Sequence, residues 1–188
     1  MTGPPVSTGG KTLQLLRESV PGLSRIGGIG ELETGSLVLY GQAYRRDAAA
    51  MGVTLQRHVV KDASEIDAAL AQIANERPDA MSVGLSGIVF AARARIMAFA
   101  VRERLPAMYR GSSRVVAEGA LMAYEANSTA IARRVAAIID SVLKGKKPSD
   151  IAVEQPTHYN FQVNLKTARA MNFTFPQSVL LQATEVIE

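Results

Sequence analysis

The sequence contains no cysteine, and this absence excludes several kinds of chemistry. Without a thiol among its 188 residues, the chain forms no disulfide, holds no zinc through thiolates and has no cysteine nucleophile. The absence assigns no compartment, because many periplasmic proteins also lack cysteine. Histidine is scarce as well, since only His58 and His158 are present. We therefore expect no metal site and interpret both histidines as ordinary strand or loop residues.

Long apolar runs are also missing. Arg, Glu or Lys interrupts every candidate before it reaches the roughly 20 residues that a membrane-spanning helix needs. No segment before Lys11 has the charged, apolar and small-residue order of a signal peptide. The composition, with 47% hydrophobic and 20% charged residues, is that of an ordinary globular protein and predicts one compact domain.

The net charge of +4 raises the question of nucleic acid binding. The basic residues are interleaved with Asp and Glu rather than gathered into a stripe, so no nucleic acid partner is expected. Four arginines form the one local cluster: Arg93, Arg95, Arg102 and Arg104. On a helix they fall on more than one face, which favours a solvated surface. The alternative is a weak docking surface for an acidic partner.

Two glycine-rich segments resemble phosphate-binding loops but fail on spacing. Residues 8–12 end in Gly-Lys-Thr like a P-loop, yet the first glycine of that motif would fall on Pro5. Residues 27–30 follow a predicted strand, yet the third glycine of a dinucleotide-binding motif would fall on Glu33. We interpret Lys11 as the start of a helix and residues 27–30 as a flexible loop at the carboxyl end of the sheet. An enzyme that uses a nucleotide at 27–30 is the third function considered.

No catalytic set is found in the sequence, which predicts that the chain is not an enzyme and uses no cofactor. Ser86 follows Gly84 as in a nucleophile elbow, but Ile88 stands where that motif closes with glycine. His-Glu-x-x-His and paired carboxylate motifs are absent from the sequence. Ser86 is therefore interpreted as a loop hydroxyl that binds a ligand.

Apolar periodicity predicts helices that alternate with strands. The helices are expected over 11–20, 36–51, 62–77 and 90–104, and the strands over 25–29, 53–60, 80–85 and 106–109. Within the second helix, Leu39, Ala43 and Ala50 are expected to face the core. The alternation favours βαβ units with right-handed crossovers. The predicted fold is α/β, an open parallel sheet with helices on both faces in three layers.

The regular alternation of helices and strands changes from about Val115 onward. A strand over 120–124 leads to a helix over 127–144 and then to two extended segments, the second of which enters a helix within 161–171. Leaving an apolar helix face in water would sacrifice about 1.5 kcal/mol or more for each large aliphatic side chain. We therefore expect another copy or a missing fragment to cover the apolar stripe of helix 127–144. The stripe consists of Ile131, Val135, Ile138, Ile139, Val142 and Leu143.

Short motifs in this tail resemble those of a known family. They are Leu143–Gly145, Val153–Pro156 (a strand in the family), Asn164–Ala168, Pro176, Ser178–Leu181 and Thr184–Glu188, with further matches at 21–26, 105–109 and 119–124. Over nearly its whole length the sequence resembles ABC-transporter substrate-binding proteins, relatives of tryptophan- and tyrosine-binding lipoproteins with the type I periplasmic-binding-protein fold. It departs from them at 27–34, where many members carry an Asn-Pro-rich loop, so the identity of the ligand stays open.

The resemblance implies a two-lobed binding protein of which this chain holds essentially one lobe. Residues 1–124 would form the second, ligand-binding lobe, 125–147 a helix that belongs to the first lobe, and 148–188 a return segment that packs on the second lobe. Family members begin with a secretion signal and a complete first lobe, which we expect this chain to lack. The family implies a periplasmic or extracellular protein, whereas a genuine start without a signal peptide implies a cytoplasmic one.

The resemblance places the ligand in a cleft lined by loops that follow the strands. Backbone amides and hydroxyls there would bind a carboxylate, while Phe90 and Tyr109 would pack on an apolar ligand body. The alternative is that Phe90, Tyr109 and Tyr124 fill the core. The candidate ligand-binding residues are Gly28, Gly30, Ser86, Gly87, Phe90, Tyr109, Gly111, Ser112 and Tyr124.

The function implied by the resemblance is that of a solute-binding component of an ABC-type importer. Its two lobes would close around an amino acid or a related small organic molecule, and a membrane permease would be its partner. The alternative is a self-associating or partner-binding α/β module that has lost ligand binding. In that case a homodimer is expected through Ile131, Val135, Ile138, Ile139 and Val142.

Overall fold

The computed structural model describes residues 8–31 and 36–188, including all their side chains except those of 36–40. The strands are β1 (Arg25–Glu31), β2 (Thr54–Val60), β3 (Ala80–Gly84), β4 (Ala107–Arg110), β5 (Met122–Ala126), β6 (Tyr159–Asn164) and β7 (Glu185–Ile187). They form one sheet in the order β2-β1-β3-β4-β5-β6-β7. Strand pairs from β2 to β5 are parallel, β6 is antiparallel to β5, and β7 is parallel to β6. The predicted α/β fold is confirmed.

The helices are α1 (Thr8–Ser19), α2 (Ser36–Ala50), α3 (Glu65–Glu76), α4 (Gly87–Ala91), α5 (Arg93–Arg102), α6 (Ser128–Leu143), α7 (Leu165–Ala170) and α8 (Gln177–Leu180). Short 3-10 helices lie at Ser113–Val116 and Pro148–Asp150. The predicted inward face of α3 is confirmed, because Ile66, Leu70 and Ile73 recur at helical spacing and are all buried. Helix formation here follows from burial of one apolar stripe against the sheet.

Each face of the sheet carries its own hydrophobic core. On one face α3, α4 and α5 pack over Ile29, Val83 and Tyr109. On the other face α1, α2, α7 and α8 pack over Ile26 and Met108. Successive side chains of a strand point to opposite faces, so Met108 and Tyr109 enter different layers. This alternation decides on which face of the sheet each strand side chain lies.

Two predictions about helices are wrong in detail. The helix expected over 90–104 consists of α4 and α5, which meet at Ala92, where the backbone has left helical geometry at ψ of 4°. In α2, Ala50 is exposed, whereas Tyr44 and Ala48 are buried. The inward stripe of α2 thus follows the i, i+4 spacing of Tyr44 and Ala48. The prediction for Leu39 lies outside the described side chains.

The strand that the family resemblance implies at Val153–Pro156 does not form. These residues are exposed and belong to no sheet. An ion pair between Arg134 and Glu154 ties the segment to α6 instead. The segment therefore runs beside the helix and gains no strand partner.

Helix α6 leaves the sheet after β5 and keeps its apolar stripe exposed. The Asn127 side chain caps it by accepting the Ala130 N–H at 2.8 Å. No residue of α6 is buried, and Val135 and Ile139 are 47% and 53% exposed. In the described part of the chain, no helix combines the length and the apolar character needed to cross a membrane.

Candidate functional site

The carboxyl ends of β1, β3 and β4 meet at one edge of the sheet, which is where open α/β folds bind ligands. The loops after β3 and β4 touch there, because the Leu85 N–H donates to the Arg110 carbonyl at 2.9 Å. Gly111 has a φ of +113°, and a Cβ added to it would lie 3.1 Å from the Leu85 carbonyl oxygen. Glycine meets both requirements without strain, which accounts for its place directly after β4.

A cavity of about 40 Å³ opens at this edge, under α2. Two predicted residues of β1, Gly28 and Gly30, line it. A Cβ added to Gly30 would meet no heavy atom within 4 Å, so the absent side chain leaves this space open. The volume suits a few water molecules or one small polar group. A solute as large as an amino acid would extend outside it.

The cavity-lining side chains that were not predicted include Tyr44, Ser82 and Arg110. The Tyr44 hydroxyl donates to the Ser82 hydroxyl at 2.9 Å, and both residues are buried. The Arg110 guanidinium carbon lies 4.4 Å from the centroid of the Tyr44 ring, in a cation–π contact. One sequence signal was available, because strand alternation places Arg110 on the opposite face from Tyr109, at the carboxyl end of a predicted strand.

The charged side chains that line the cavity all take part in interactions within the protein. Glu31 directs its carboxylate to the first turn of α4, where it accepts hydrogen bonds from the backbone N–H groups of Ile88 and Val89. Arg57 and Arg110 also line the cavity. The described charged side chains that line the cavity are thus one carboxylate and two guanidinium groups.

Three further predicted residues lie at the same edge: Ser86 and Ser112 in loops, and Gly87 as the first residue of α4. Ser86 immediately precedes α4 and Ser112 immediately precedes the 3-10 helix at 113–116, and neither side chain caps its helix. A Cβ on Gly87 would lie 3.8 Å from a Glu31 carboxylate oxygen. The structure thus brings these residues together with Gly28, Gly30 and Gly111.

The two aromatic residues expected to pack on a ligand body have different positions. Phe90 is 39% exposed on α4, and the Arg93 guanidinium carbon lies 4.3 Å from its ring centroid. Tyr109 has 0% exposure and belongs to the core under α4 and α5, where burial raises the pKa of its phenol. Tyr109 therefore fills the core in this structure rather than lining the edge, since strand alternation turns it away from the cavity.

Tyr124 lies on the cavity side of the sheet, one strand beyond Arg110, with which it is in register. Its ring stacks on Tyr159 with 5.4 Å between centroids and 5° between planes. Burial, and then the proximity of Tyr159, raises the pKa of Tyr124, so this phenol stays neutral. The next residue, Glu125, accepts the Ser113 N–H and hydroxyl at 2.8 and 2.6 Å.

The described residues contain no group of three or more His, Asp or Glu side chains placed to hold a metal ion. His58 is buried, and its ring nitrogens lie 3.2 Å from Gln72 Oε1 and 3.0 Å from Glu76 Oε2. These contacts tie β2 to α3 and give His58 a structural role.

A protein-family model matches nearly the whole sequence. The model that describes ABC transporter substrate binding proteins matches residues 7–187. The match includes every strand and helix of the sheet region as well as α6. No curated protein matches the sequence.

Solved structures share this fold at low sequence identity. A conserved domain protein from Vibrio cholerae aligns with a TM-score of 0.83 and 21% identity over 95% of this chain and 60% of that chain. An ABC domain from Streptococcus pneumoniae in complex with L-Trp aligns with a TM-score of 0.83 and 20% identity over 96% of this chain and 60% of that one. A ligand-free, open substrate binding protein from Clostridium difficile aligns with a TM-score of 0.74 and 17% identity over 95% of this chain and 59% of that chain. This chain spans about 60% of the length of the first two.

Proposed function

Because the chain belongs to the family of ABC transporter substrate-binding proteins, we propose that it is the solute-binding component of an ABC-type importer. Proteins of this family bind small molecules, work with a membrane permease, and are periplasmic or extracellular. The family consists of binding proteins rather than enzymes. For this chain, the proposed solute is an amino acid or a related small organic molecule, and the proposed place of action is outside the cytoplasmic membrane.

The observation that carries the proposal is the open cavity at the carboxyl edge of the sheet. It is lined by glycines that leave space and by Arg110, Tyr44 and Ser82, which supply polar and aromatic surface. The L-Trp held by the similar domain from Streptococcus pneumoniae supports a solute of amino-acid size. Ser86, Gly87, Gly111 and Ser112 would contact the solute from the neighbouring loops.

We further propose that the sheet is one lobe of a two-lobed cleft. Residues up to 124 and 148–188 would form this lobe, while 125–147, with α6, would belong to the other. The exposed stripe of α6 supports this division, because such a face normally packs on a further layer. The similar structures, which are longer than this chain, are consistent with it. Closure of both lobes would then bury the solute.

Solute binding is tested by ligand-observed NMR of the 188-residue chain with a panel of amino acids and small organic molecules. This method detects binding with millimolar affinity. Such weak binding is expected when only one of the two lobes contacts the solute. A Gly30→Val variant should fold, because nothing lies within 4 Å of its added Cβ, and should lose the signal of the solute that binds. Thr54→Val, an exposed site at the opposite end of the neighbouring strand, is the matched control. Absence of binding across the panel contradicts the proposal.

A second candidate function rests on α6 alone. We propose as an alternative that the chain is a self-associating or partner-binding module that joins a second copy through Ile131, Val135 and Ile139. Sedimentation velocity over a hundredfold concentration range tests this. A dimer that Ile139→Glu converts to monomer would support it, with Val153→Glu, on the exposed segment beside the helix, as the control. A monomer at every concentration contradicts it.

A further inference from the structure

We propose that the layer formed by α3 and α5 joins a second copy of this chain in a two-fold symmetric dimer, in which α3 of each copy lies over α5 of the other. The inference goes beyond the proposed function, since no residue of α3 or α5 lines the cavity at the carboxyl edge. The helices that adjoin residues 1–7 and 32–35, α1 and α2, pack on the opposite face of the sheet. A dimer through the α3–α5 layer would therefore leave the proposed solute site open.

A groove of about 610 Å³ runs between α3 and α5 on the outer side of this layer. Leu70 and Phe99 form its floor and are 5% and 3% exposed, so both already belong to the core. The walls carry small side chains, namely Ala71 and Ala74 on α3 and Ala98 on α5. Because alanine extends little beyond the backbone, a further pair of helices can approach these walls closely. The groove thus fits a second layer of helices.

The side chains along the groove lie at three levels, one helical turn apart. Helices α3 and α5 run in the same direction, because each connects two parallel strands of the sheet. Positions i, i+4 and i+8 of α3 therefore lie beside i, i+3 and i+7 of α5, counted from the ion pair between Asp67 and Arg95 at 3.2 Å. The levels are Asp67 with Arg95, Ala71 with Ala98, and Asn75 with Arg102.

The two walls of the groove carry opposite charge. Helix α3 contains three acidic residues and no Lys or Arg, whereas α5 contains three arginines and no Asp or Glu. Asp67 and Arg95 are 72% and 49% exposed, so their ion pair leaves both side chains accessible to a further partner. The acidic partner considered for the arginine cluster of the sequence would then be α3 of a second copy.

These charges favour one symmetry of the contact. Rotation about a two-fold axis along the groove keeps every level at its height and places α3 of one copy over α5 of the other. Each Asp67 then faces Arg95 of the second copy, and the two ion pairs join into an alternating square of four charges. A two-fold axis across the helices would instead place Arg95 over Arg102 of the second copy, which is a repulsive contact.

Arg102 keeps donors for the last level of this contact. Its Nε donates to Glu103 at 2.8 Å, its guanidinium carbon lies 5.3 Å from the Phe99 ring centroid, and its side chain is 70% exposed. In the described part of the chain, neither of its terminal nitrogens donates a hydrogen bond. Both can therefore donate to the side-chain oxygen of Asn75 in the second copy.

Charge reversal tests this pairing in the 188-residue chain. Sedimentation velocity over a range of concentrations should show a reversible dimer of the natural sequence. Asp67→Arg and Arg95→Glu should each weaken the dimer about tenfold or more, because each brings like charges together across the axis. An equimolar mixture of the two variants should recover a heterodimer, since every pair across the axis is then again of opposite sign. Native mass spectrometry identifies the heterodimer by its mass.

Two further variants separate packing from charge. Ala71→Arg puts a long side chain at the exposed middle level, where the alanines of both copies meet, and should abolish the dimer. Arg169→Glu reverses the charge of an exposed arginine on α7, at the opposite face of the sheet, and should leave the dimer unchanged. Circular dichroism melting checks that each variant is folded.

The outcomes separate this dimer from the other proposals. A monomer at every concentration, or a dimer that survives Ala71→Arg and both charge reversals, overturns the inference. A mixture that stays monomeric while the natural sequence dimerises overturns the charge pairing. Ile139→Glu should leave this dimer intact, and a dimer lost only in Ile139→Glu would overturn the α3–α5 contact and support the α6 alternative. Solute binding is measured separately by NMR, so its failure would leave this inference standing.

Discussion

Two of the three glycines in strand β1, Gly27 and Gly30, have sharply different surroundings. A Cβ added to Gly27 would lie 3.0 Å from Ile73 Cγ2 and 3.1 Å from Pro78 Cγ, whereas one added to Gly30 would meet nothing within 4 Å. Ile73 is fully buried and the proline ring is rigid, so neither can give way easily. We expect Gly27→Ala to lower the free energy of unfolding by about 1–3 kcal/mol. Gly30→Ala should change it by less than about 0.5 kcal/mol in urea titrations.

Equal stability of these two alanine variants would contradict the packing described around Gly27.

A second residue-scale prediction concerns Asp79, which fastens the start of β3 to that of β1. One carboxylate oxygen accepts the Ser24 N–H, the Ser24 hydroxyl and the Arg25 N–H at 2.8–2.9 Å. The Ser24 N–H in particular holds the pKa of Asp79 below 3.8. Because the folded pKa is the lower one, this stabilisation is present above about pH 4 and is lost as the pH falls through the folded value.

Asp79→Ala should therefore cost about 1 kcal/mol at pH 7, a value reduced for solvent screening. The cost should shrink as the pH falls below about 4. Urea unfolding at a series of pH values measures it, with Asp67→Ala, which removes a surface ion pair, as control. A cost that does not change between pH 7 and pH 2.5 would contradict the role of the ionised carboxylate.

Single residues also mark how far the sequence could predict the site. Gly111, Ser86 and Ser112 could be placed at the edge because loops at the carboxyl ends of strands are recognisable from the pattern. Gly28 and Gly30 also lie near this edge, but the flexible loop predicted for 27–30 is wrong, since these residues belong to strand β1. The sequence did not predict which face of the sheet Tyr109 lies on. Tyr109 and Arg110 are adjacent, and only the register of β4 decides which of them faces the cavity. Tyr44 was missed because its contact with Arg110 joins residues distant in sequence.

At the scale of elements, two helices with the same cap residue should respond differently to its loss. Asn127 caps α6, which has no buried residue, whereas Asn164 caps α7, is itself buried and also donates to the Val116 carbonyl at 2.8 Å. Asn127→Ala should cost about 1 kcal/mol locally, accelerating hydrogen exchange in α6 about fivefold without lowering Tm. Asn164→Ala should cost about 2–3 kcal/mol globally and lower Tm.

Hydrogen exchange by mass spectrometry and thermal unfolding together measure both effects. A drop in Tm for Asn127→Ala as large as that for Asn164→Ala would show that α6 is coupled to the core.

Helices and strands could be predicted best where the apolar residues follow a single period, either that of a strand or that of a helix. Strands β1 to β4 and helices α1, α3 and α6 follow directly from alternation or helical spacing. The split between α4 and α5 at Ala92 was not visible, because alanine is a good helix former. Strand β7 was not predicted either, since three residues carry too short a pattern.

At the scale of the whole molecule, the sheet should survive a cut in the chain. Residues 143–150 and 152–158 are exposed, and trypsin is expected to cleave first after Lys144 or Lys146. The two fragments should stay together, because β6 is paired on both sides and buries Phe161 and Val163. Size-exclusion chromatography of the cleaved protein, followed by mass spectrometry, should find both fragments in one peak. Their separation without denaturant would contradict the contribution of β6 to the sheet.

The segment that contains α6, residues 127–158, leaves the sheet and returns to it at the same place. The Asn127 N–H donates to the His158 carbonyl at 2.9 Å, and the Asn127 side chain donates to Asn160 at 2.9 Å. For strands β5 and β6, everything between these residues is therefore the connection of a single β-hairpin. The entropy of closing a connection grows only with the logarithm of its length. The same two strands would thus accept a short turn or a much larger insert with nearly the same pairing, which makes this junction the place where the protein can change most in size while keeping its sheet.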